Sequence, residues 1–472
     1  MQPEHETAPR APFADGGGRP GSYGGRVTVR RRLLRGAAAL LGAGATGGAL
    51  LQAGCTPGGG ATAGTATKQA GPVTLRFVPA NWHLEEDKQV ISQFQAENPR
   101  IKVEIEPLTG NYMEKVTALQ AANSLPDNLY TADVYVKPTA VNKVATDLEK
   151  LAAKDKQFDI KDVYPVMLDL GRIKEVPGLY MLPWALDVLV LYYNKSMFTA
   201  SGVPFPKPTW TVDDLIDAAK RLTKDTGDPA TSQYGINLNW TWWAEYVPWM
   251  RGYGGDMLSE DGRRCTIDSP ASVEGIEAMT GLVTRHRVAP PPGTNFGGDA
   301  FNLGKVAMMA TIRNGAAAIR RAQVDFDWDA EIRPAMPRKR VTGMGTAGNA
   351  VSTQTKAPDD AWILAKYMIS PTAQRIYAGT YASVPVLRSM RNDPSWRNLA
   401  PPPANTEAFV AAADIGTLPP EFPLACGSVY TGDVQQIMNT AFNAILTGSS
   451  GVAPAMGDAA RQINACLASN AK

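Results

Sequence analysis

From residue 73 onwards, apolar residues recur at two different spacings along the chain. VTLRFVPA (73–80) is short and rich in β-prone residues, RIKVEIEPL (100–108) alternates apolar with polar positions, and both predict strands. EEDKQVISQFQAENP (85–99) and YMEKVTALQAAN (112–123) place their apolar residues at helical spacing and predict helices. ADVYV (132–136) predicts one more strand. Strands that alternate with helices predict an α/β fold with parallel strand pairing.

The middle and the C-terminal part of the chain continue this pattern. LYMLPWALDVLVLYYN (179–194) is apolar over nearly its whole length and is interrupted by Pro183, which predicts two strand pieces. TVDDLIDAAKRLTKDTG (211–227) has Thr211 as an N-cap, acidic residues in the first turn and Gly227 beyond the end, the signals of a complete helix. Further helices are predicted at 270–286, 358–369, 371–378, 429–447 and 455–467.

The first 54 residues do not follow this pattern. Arg30 and Arg31 form a twin arginine before an apolar Ala/Gly/Leu run that extends from residue 36 to residue 53, and small residues precede Cys55. A positively charged segment, an apolar segment and a small-residue cleavage site predict an export signal at 1–54, with a retained transmembrane helix as the alternative. Residues 55–72, CTPGGGATAGTATKQAGP, predict a flexible linker.

The segment LQAGC, which ends at Cys55, resembles a bacterial lipobox. In such a motif the cysteine is lipidated and becomes the first residue of the mature protein. The resemblance therefore implies a protein that is exported and anchored to the cell membrane by lipid, facing the extracellular or periplasmic side.

Charge and cysteine content narrow the classes of protein. With 47 basic and 45 acidic residues the net charge is +2, so the chain lacks the basic field that a nucleic-acid partner requires. Three cysteines follow the linker, namely Cys265, Cys426 and Cys466, and none belongs to a CxxC metal motif. An odd number of cysteines leaves at least one of them unpaired. The sequence leaves two alternatives: a disulfide bond between Cys426 and Cys466, or three buried thiols.

Motifs of catalysis are weak or absent in the sequence. There is no HExxH and no GxSxG. GMGTAG at 343–348 satisfies GxGxxG, but NAVSTQTKAPDD follows it and predicts a strand and a loop where a dinucleotide site needs a helix. We interpret it as a glycine-rich turn that enters a strand. No cofactor or metal is expected, and Asp133 and Asp187 are the pair of carboxylates that would suit a glycosidase.

The order of several longer segments resembles a known family. These segments are VISQFQAENPRIKVEIEP, GLYMLPWALDVLVLYYNKSMFTASGVPFPKPTWTVDDLIDAAKRLT, YGINLNW with GYGGDML, FNLGKVAMM, and DDAWILAKYMISPTAQ with the later Pro385. Together they resemble the extracellular solute-binding proteins of bacterial ABC importers, a family that includes the maltose-binding proteins, over nearly all of residues 73–472.

This resemblance implies a two-lobed periplasmic-binding-protein fold of type II, in which the ligand binds between lobes that close by hinge motion. Lobe I would comprise residues 73–184 and 334–384, and lobe II residues 185–333 and 385–472. The chain would cross between the lobes at LPWALD, near residues 329–334 and near Pro385.

The resemblance also implies positions for ligand-binding residues in lobe I, and residue chemistry suggests their roles. Asn81 would bind a hydroxyl and Trp82 would offer a flat apolar face, unless they are a turn residue and a packing residue. Asp133 resembles the family's Pro-Asp-Val position and would accept from ligand hydroxyls. A structural cap is the alternative role of Asp133, and Asp127 is another candidate for the motif.

Further candidates lie at the first crossing and after the GKVAMMAT segment. Asp187 stands in the apolar run WALDVLVLYY, where a buried carboxylate needs either a ligand or an ion-pair partner across the hinge. Trp184 is a ligand-contacting or a packing residue nearby. Arg313 and Asn314 follow GKVAMMAT, where the family often places a ligand-contacting side chain; Arg313 would alternatively pair with Asp187.

NWTWWAEYVPWM (239–250) contains four of the ten tryptophans of the chain. Thr241 predicts a cap for a helix that begins at Trp242. On that helix Tyr246 and Trp249 would pack in the core, whereas Trp242 and Trp243 would lie at the N-terminal tip, which in the resembling family points into the cleft.

These features favour a monomeric, lipid-anchored, non-catalytic protein that captures a mono- or oligosaccharide and delivers it to the permease subunits of an ABC transporter. An exported carbohydrate-active enzyme and a sensory protein for a non-sugar ligand are the alternatives. A peptide, a polyol, or a cation such as choline or a polyamine would fit the same aromatic and polar groups.

Overall fold

The structure is a computed structural model that describes residues 71–470 of the 472-residue chain. The predicted export signal, Cys55 and all but the end of the predicted linker lie outside the described residues.

Strands and helices alternate through most of the described chain. The strands are β1 (Val73–Val78), β2 (Ile101–Ile105), β3 (Asn128–Ala132), β4 (Leu182–Pro183), β5 (Asp187–Val188), β6 (Val190–Asn194), β7 (Met308–Thr311), β8 (Trp328–Glu331), β9 (Thr342–Gly345), β10 (Ala347–Val351) and β11 (Gly416–Thr417). The first helices are α1 (Leu84–Glu97), α2 (Tyr112–Ala121), α3 (Asp133–Val141), α4 (Glu149–Ala152), α5 (Pro165–Asp169), α6 (Lys195–Ala200), α7 (Val212–Leu222) and α8 (Trp243–Gly252). The later helices are α9 (Pro270–Thr284), α10 (Asn314–Ala322), α11 (Pro358–Tyr367), α12 (Pro371–Gly379), α13 (Pro394–Arg397), α14 (Glu407–Asp414), α15 (Gly432–Leu446) and α16 (Val452–Ser469).

The strands form three sheets. A five-stranded sheet has the order β2-β1-β3-β10-β4; β1 is parallel to β2 and β3, and β10 is antiparallel to β3 and β4. A three-stranded sheet has the order β7-β6-β8, and a small sheet has the order β11-β9-β5. The mixed α/β class predicted from the sequence is confirmed.

The small sheet lies where the chain passes between the two larger sheets. β4 belongs to the five-stranded sheet, β5 to the small sheet and β6 to the three-stranded sheet, within residues 182–194. The chain returns through β9 of the small sheet directly into β10 of the five-stranded sheet. Leu186 also forms a β-bridge with Val384. The second passage, through β9 into β10, lies beyond residues 329–334, where a crossing is predicted, and the crossings and lobe boundaries stay a prediction.

Two large apolar cores support this arrangement. One surrounds the five-stranded sheet and includes Leu75 and Phe94, whereas the other joins α7, α8, α9, α15 and α16 and includes Trp249 and Phe442. Helix α7 has the predicted start, because Thr211 and Asp214 cap each other's backbone N–H groups in a capping box.

Two strand predictions are wrong. Residues 179–194 form the three strands β4, β5 and β6 in place of two pieces, and Pro183 lies within β4. ADVYV is not a strand, since β3 ends at Ala132 and Asp133 begins α3. The strand NLYTA is a central strand whose side chains are buried on both faces of the sheet, so it lacks the alternation of apolar and polar residues that predicts a half-buried strand. The valines belong to a helix that buries Val136 and Ala140. Asp133 therefore follows the carboxyl end of a central strand.

The cysteine alternatives are resolved by a disulfide bond between Cys426 and Cys466, with Cα atoms 5.8 Å apart; Cys265 is a buried thiol. None of the helices between residues 71 and 470 is long and apolar enough to cross a bilayer.

Candidate ligand-binding site

Asp133 and Asp187 meet at Gly345. Asp187 in β5 is the antiparallel partner of Gly345 in β9, which places their Cα atoms about 4.5–5.5 Å apart. A Cβ atom built on Gly345 would lie only 2.4 Å from Oδ2 of Asp133. The two carboxylates, from different elements, therefore adjoin the same glycine.

These three residues line an accessible space. Asp133, Asp187 and Gly345 all keep partial exposure, whereas the neighbours of Asp187 and Gly345 in the small sheet are buried, namely Leu186, Val188, Met344 and Thr346. The face of the small sheet that is accessible to solvent is therefore the face on which the two acids lie. It lies at the passage between the two larger sheets, where a binding cleft is expected.

Neither carboxylate has a cationic partner among the described residues. Neither takes part in any of the ion pairs found between residues 71 and 470. Asp133 accepts the backbone N–H of Val134, at 2.8 Å, and lies close to the backbone N–H of Thr346. Oδ1 of Asp187 is buried and has no hydrogen-bond partner.

Burial without compensation changes the acidity of both groups. Desolvation raises the pKa of Asp133 to about 7, although its backbone hydrogen bonds act in the opposite direction. Desolvation also raises the pKa of Asp187 to about 7, and repulsion from Asp133 adds to it. The pair therefore holds a proton at mildly acidic pH, where a solvated aspartate would be ionised.

Aromatic rings cover one side of the acid pair. Tyr130 of β3 contacts Tyr112 and Tyr135, with ring centroids 5.6 and 6.4 Å away, and Trp82 approaches Tyr130 edge-on at 5.1 Å. Desolvation raises the pKa of Tyr130, and the charges of Asp133 and Asp187 raise it further, which shows that this phenol is near both acids.

A second group of aromatic residues approaches from α8 and the segment before α15. The indole N–H of Trp242 donates to the hydroxyl of Tyr430. Burial raises the pKa of Tyr430, and Asp133 and Asp187 again contribute. Cζ2 of Trp243 lies 4.0 Å from the Cβ position at Gly345. Tyr430 and the two tryptophans therefore adjoin the same acids as Tyr130.

The tryptophan-rich segment divides differently from the prediction. Helix α8 begins at Trp243 with Trp242 as N-cap, so the predicted Thr241 cap is wrong; the Thr241 hydroxyl bonds Asn239. Tyr246 and Trp249 are 1% exposed, as expected of core residues. Trp242 is partly exposed, but Trp243 is 1% exposed and presents only an edge to Gly345.

The other candidates in this part of the chain, Asn81 and Trp82, lie in a short 3-10 helix that follows β1. Trp82 is 47% exposed and extends the aromatic surface beyond Tyr130. Asn81 is exposed, and its side-chain amide donates to the carbonyl of Leu108 at 2.6 Å. Asn81 therefore has one structural bond and a free carbonyl oxygen.

Trp184 is a core residue in this structure. It is 1% exposed, stacks on Tyr377 with ring centroids 4.4 Å apart, and meets His83 edge-on. The alternative of a packing tryptophan holds, because the ring is buried against Tyr377 of α12.

Arg313 does not reach Asp187 either. Its guanidinium is fully buried between the rings of Tyr381, Trp396 and Phe409, at 5.0–5.2 Å from their centroids, and donates to the carbonyl of Ala378. Burial lowers its pKa to about 10. The predicted pair of Arg313 with Asp187 is therefore wrong, and Asn314 follows as the partly exposed first residue of α10.

Sequence reasoning missed Tyr130, Tyr430 and Gly345. Tyr130 looked like one more apolar strand residue, and Tyr430 is remote in sequence from the acids that it approaches. The GxGxxG match carried a usable signal, because its glycines mark close contacts: a Cβ on Gly343 would lie 2.4 Å from the Ala244 carbonyl, and one on Gly348 2.7 Å from the Leu182 carbonyl.

Two α/β sheets joined by short passages, with acids and aromatic rings converging beside one passage, define a protein of the solute-binding class. The family described as "Bacterial extracellular solute-binding protein" matches residues 81–375, and the chain belongs to this family. The predicted family and the two-lobed fold are thereby confirmed. Proteins of this family are not catalytic, which removes the glycosidase alternative for Asp133 and Asp187.

Relatives and solved structures agree with this assignment. A probable ABC transporter-binding protein of Deinococcus radiodurans is 24% identical over 342 residues, which are 70% of this chain and 77% of the relative. An ABC substrate-binding protein of Listeria monocytogenes in complex with cycloalternan superposes with a TM-score of 0.75 at 24% identity, covering 84% of this chain and 99% of that chain.

UgpB of Mycobacterium tuberculosis in complex with glycerophosphocholine superposes with a TM-score of 0.70 at 17% identity, covering 85% of this chain and 100% of that chain. The chain is accordingly a member of a bacterial family of extracellular solute-binding proteins.

Proposed function

We propose that this protein captures a mono- or oligosaccharide in the cleft beside Gly345 and delivers it to the permease subunits of its transporter. The observation that carries the proposal is the convergence of Asp133 and Asp187 with aromatic rings on both sides. Carboxylates accept strongly from hydroxyl groups, and aromatic faces pack against the C–H face of a sugar ring.

The ligands of similar proteins support a hydroxylated molecule. The Listeria protein holds the oligosaccharide cycloalternan, and the Mycobacterium protein holds glycerophosphocholine. Both ligands combine hydroxyl groups with apolar surface. Within the cleft of this chain, the proposed contacts are Asp133, Asp187 and Trp242, with Asn81 and Trp82 at the outer part of the aromatic surface. Trp243 would contribute its edge.

The proposal also includes how the protein is anchored to the membrane and how its lobes move. Lipidation of Cys55 would hold a monomer at the membrane through the glycine-rich linker, and lobes I and II, with the boundaries given above, would close around the ligand. Mass spectrometry of the N-terminus of the protein isolated from membranes tests the anchor, since a diacylglyceryl-modified Cys55 is expected as the first residue.

Titration calorimetry with a panel of mono- and oligosaccharides tests ligand capture, with chromatography of each mixture after overnight incubation. Saturable binding without new products is the expected result. Absence of binding to every saccharide would contradict a sugar ligand, and release of products would contradict a transport role. Genes for two permease subunits beside the gene of this protein would separate transport from sensing.

A further inference from the structure

The acid pair at Gly345 lacks the positive charge that a buried pair of carboxylates requires. The nearest lysine along α3 is Lys137, one turn after Asp133. Its ammonium group is engaged elsewhere, because it donates to the carbonyl of Phe422 at 2.7 Å and pairs with Glu175. No described Lys, Arg or His forms an ion pair with Asp133 or Asp187.

Other groups that face the pair are also without positive charge. They are the phenols of Tyr130 from β3, Tyr135 from α3 and Tyr430 from the segment before α15, and the indoles of Trp242 and Trp243 from α8. Phenols and indoles are neutral at physiological pH, and their π faces attract cations. The described side chains around Asp133 and Asp187 are therefore neutral aromatic residues, and none of them carries a positive charge.

Two carboxylates that are forced together and removed from water are stabilised in one of two ways. They share a proton, or a cation enters between them. A neutral sugar supplies hydroxyl hydrogen bonds but leaves the repulsion between the acids in place. A ligand with a positively charged nitrogen removes that repulsion and forms charge-assisted hydrogen bonds to both acids.

Trp243 provides an independent indication of the ligand. Its indole N–H is buried in a side chain that is 1% exposed and forms no hydrogen bond of good geometry, although the Tyr430 hydroxyl, which accepts the N–H of Trp242, lies close to it. Cζ2 and Nε1 are bonded to the same ring carbon, and Cζ2 lies 4.0 Å from the Cβ position at Gly345. The N–H is therefore on the edge that faces the acids, where it would donate to an acceptor oxygen.

We propose that the ligand of this cleft is a hydroxylated small molecule with a cationic nitrogen, of the amino-sugar class, and that its ammonium group binds between Asp133 and Asp187. A hydroxyl oxygen next to that nitrogen accepts the indole N–H of Trp243. This inference rests on the proposed function, because it assigns a charge to the saccharide of the same site.

The test compares ligands of one shape that differ in charge. Calorimetric titrations at pH 7, where the amine is still largely protonated, use the glucosamine disaccharide, its neutral N-acetylated form and cellobiose, all with the same linkage, together with glucosamine, galactosamine and their parent sugars. Choline is included as a cation without a sugar ring. We expect the amino sugars to bind about 10- to 100-fold more tightly than their neutral counterparts, as charge-assisted hydrogen bonds would provide.

Proton linkage gives a second readout. Entry of a cation displaces the proton that the acid pair holds near pH 6, whereas the amine of the sugar itself stays protonated up to about pH 7.5. Binding of an amino sugar should therefore strengthen from pH 5 to pH 7 and release protons at pH 6, detected in buffers of different ionisation enthalpy. Asp187→Asn should abolish both the preference for the cation and the proton release. Asp217→Asn, at a 77% exposed side chain on α7, is the control and should change neither.

The outcomes separate this inference from the proposed function. Binding of neutral saccharides with equal or weaker binding of the amino sugars would overturn the cationic ligand but leave sugar capture intact. Binding of choline alone would retain the cation and overturn the saccharide. If none of these cationic probes binds at millimolar concentration, the inference is wrong.

Discussion

A Cβ atom on Gly345 would lie 2.4 Å from the carboxylate oxygen Oδ2 of Asp133, a distance that real Cβ atoms do not show. Gly345 is therefore the residue that permits the acid of α3 to reach the partner strand of Asp187. The small sheet joins the two larger sheets, so the closest contact of the site is also a contact at the passage between them.

Replacing this glycine should damage the site more than the fold. In Gly345→Ala the new methyl group must displace Asp133, and we expect ligand affinity to fall by at least about tenfold, the loss of one charge-assisted hydrogen bond. Calorimetry with a saccharide that binds in the titration panel measures the loss. Gly457→Ala in α16 is the control, since its Cβ would lie 3.7 Å from the nearest side chain. Equal affinity of the two variants would show that Asp133 does not contact ligand.

Asp187 should make the ligand-free protein less stable as the pH rises. Its pKa is raised to about 7 in the folded state, so between pH 4 and pH 7 the folded chain binds more protons than the unfolded chain, and the free energy of unfolding falls with increasing pH. Asp187→Asn removes this contribution. After allowance for partial exposure, we expect the variant to gain about 1–2 kcal/mol over the wild type at pH 8 and little at pH 4.

Urea denaturation of both proteins without ligand, at pH 4, 6 and 8, measures that difference. Asp87 is also a buried acid with a raised pKa, but it is present in both proteins and its contribution cancels. A difference that does not depend on pH would contradict the raised pKa of Asp187.

Local signals in the sequence predicted most elements because they depend on neighbouring residues. The capping box of α7 is one example, and the apolar spacing of α1 is another. Asp133 was placed in a strand because a helix that begins with D-V-Y-V has the composition of a strand. Only the pairing of β3 with strands on both sides shows where the strand ends.

The sequence predicted only part of the site, because the residues that form it are far apart along the chain. Asp133 and Asp187 were recognised individually, but Gly345 brings them together through strand pairing that has no local signature. Trp184 and Asp187 lie three residues apart, yet one is buried under Tyr377 and the other lines the cleft. Which side of a short strand faces the ligand is decided by tertiary packing.

Trp242 and Trp249 should separate binding from stability. Trp242→Phe keeps a ring but removes the N–H that bonds Tyr430, so ligand affinity should fall about three- to tenfold with an unfolding free energy within about 1 kcal/mol of wild type. Trp249→Ala opens a cavity in the core of α8 and removes the bond to Glu245, and should cost about 3–5 kcal/mol. Titration and urea denaturation of each variant distinguish the two roles, and similar losses of stability would contradict the division.

The disulfide bond should support the position of Tyr430. Cys426 lies four residues before Tyr430 and is bonded to Cys466 in α16, which fixes the segment that carries the phenol to that helix. We expect a Cys426→Ser/Cys466→Ser variant to lose about 2–4 kcal/mol of stability, as for a closed loop of this size, and to bind ligand more weakly. Cys265→Ser, at a buried thiol outside the bond, is the comparison. Unchanged ligand affinity in the double variant would show that Tyr430 is held by other contacts.

Arg313 should contribute to the stability of the fold near α12 and should not contribute to ligand binding. Its guanidinium packs against Tyr381, Trp396 and Phe409, with Nε and Nη1 buried and without partners. Arg313→Met retains the apolar stem and removes a buried charge that no carboxylate compensates, so the unfolding free energy should change by less than about 2 kcal/mol and could rise. Arg313→Ala removes the stem as well and should lower the free energy of unfolding by about 2–5 kcal/mol.

The ligand affinity of the methionine variant, measured by calorimetry, should equal that of the wild type, because no part of the Arg313 side chain lies beside Asp133 or Asp187. A tenfold loss of affinity in that variant would contradict this prediction and would show that Arg313 contributes to ligand binding.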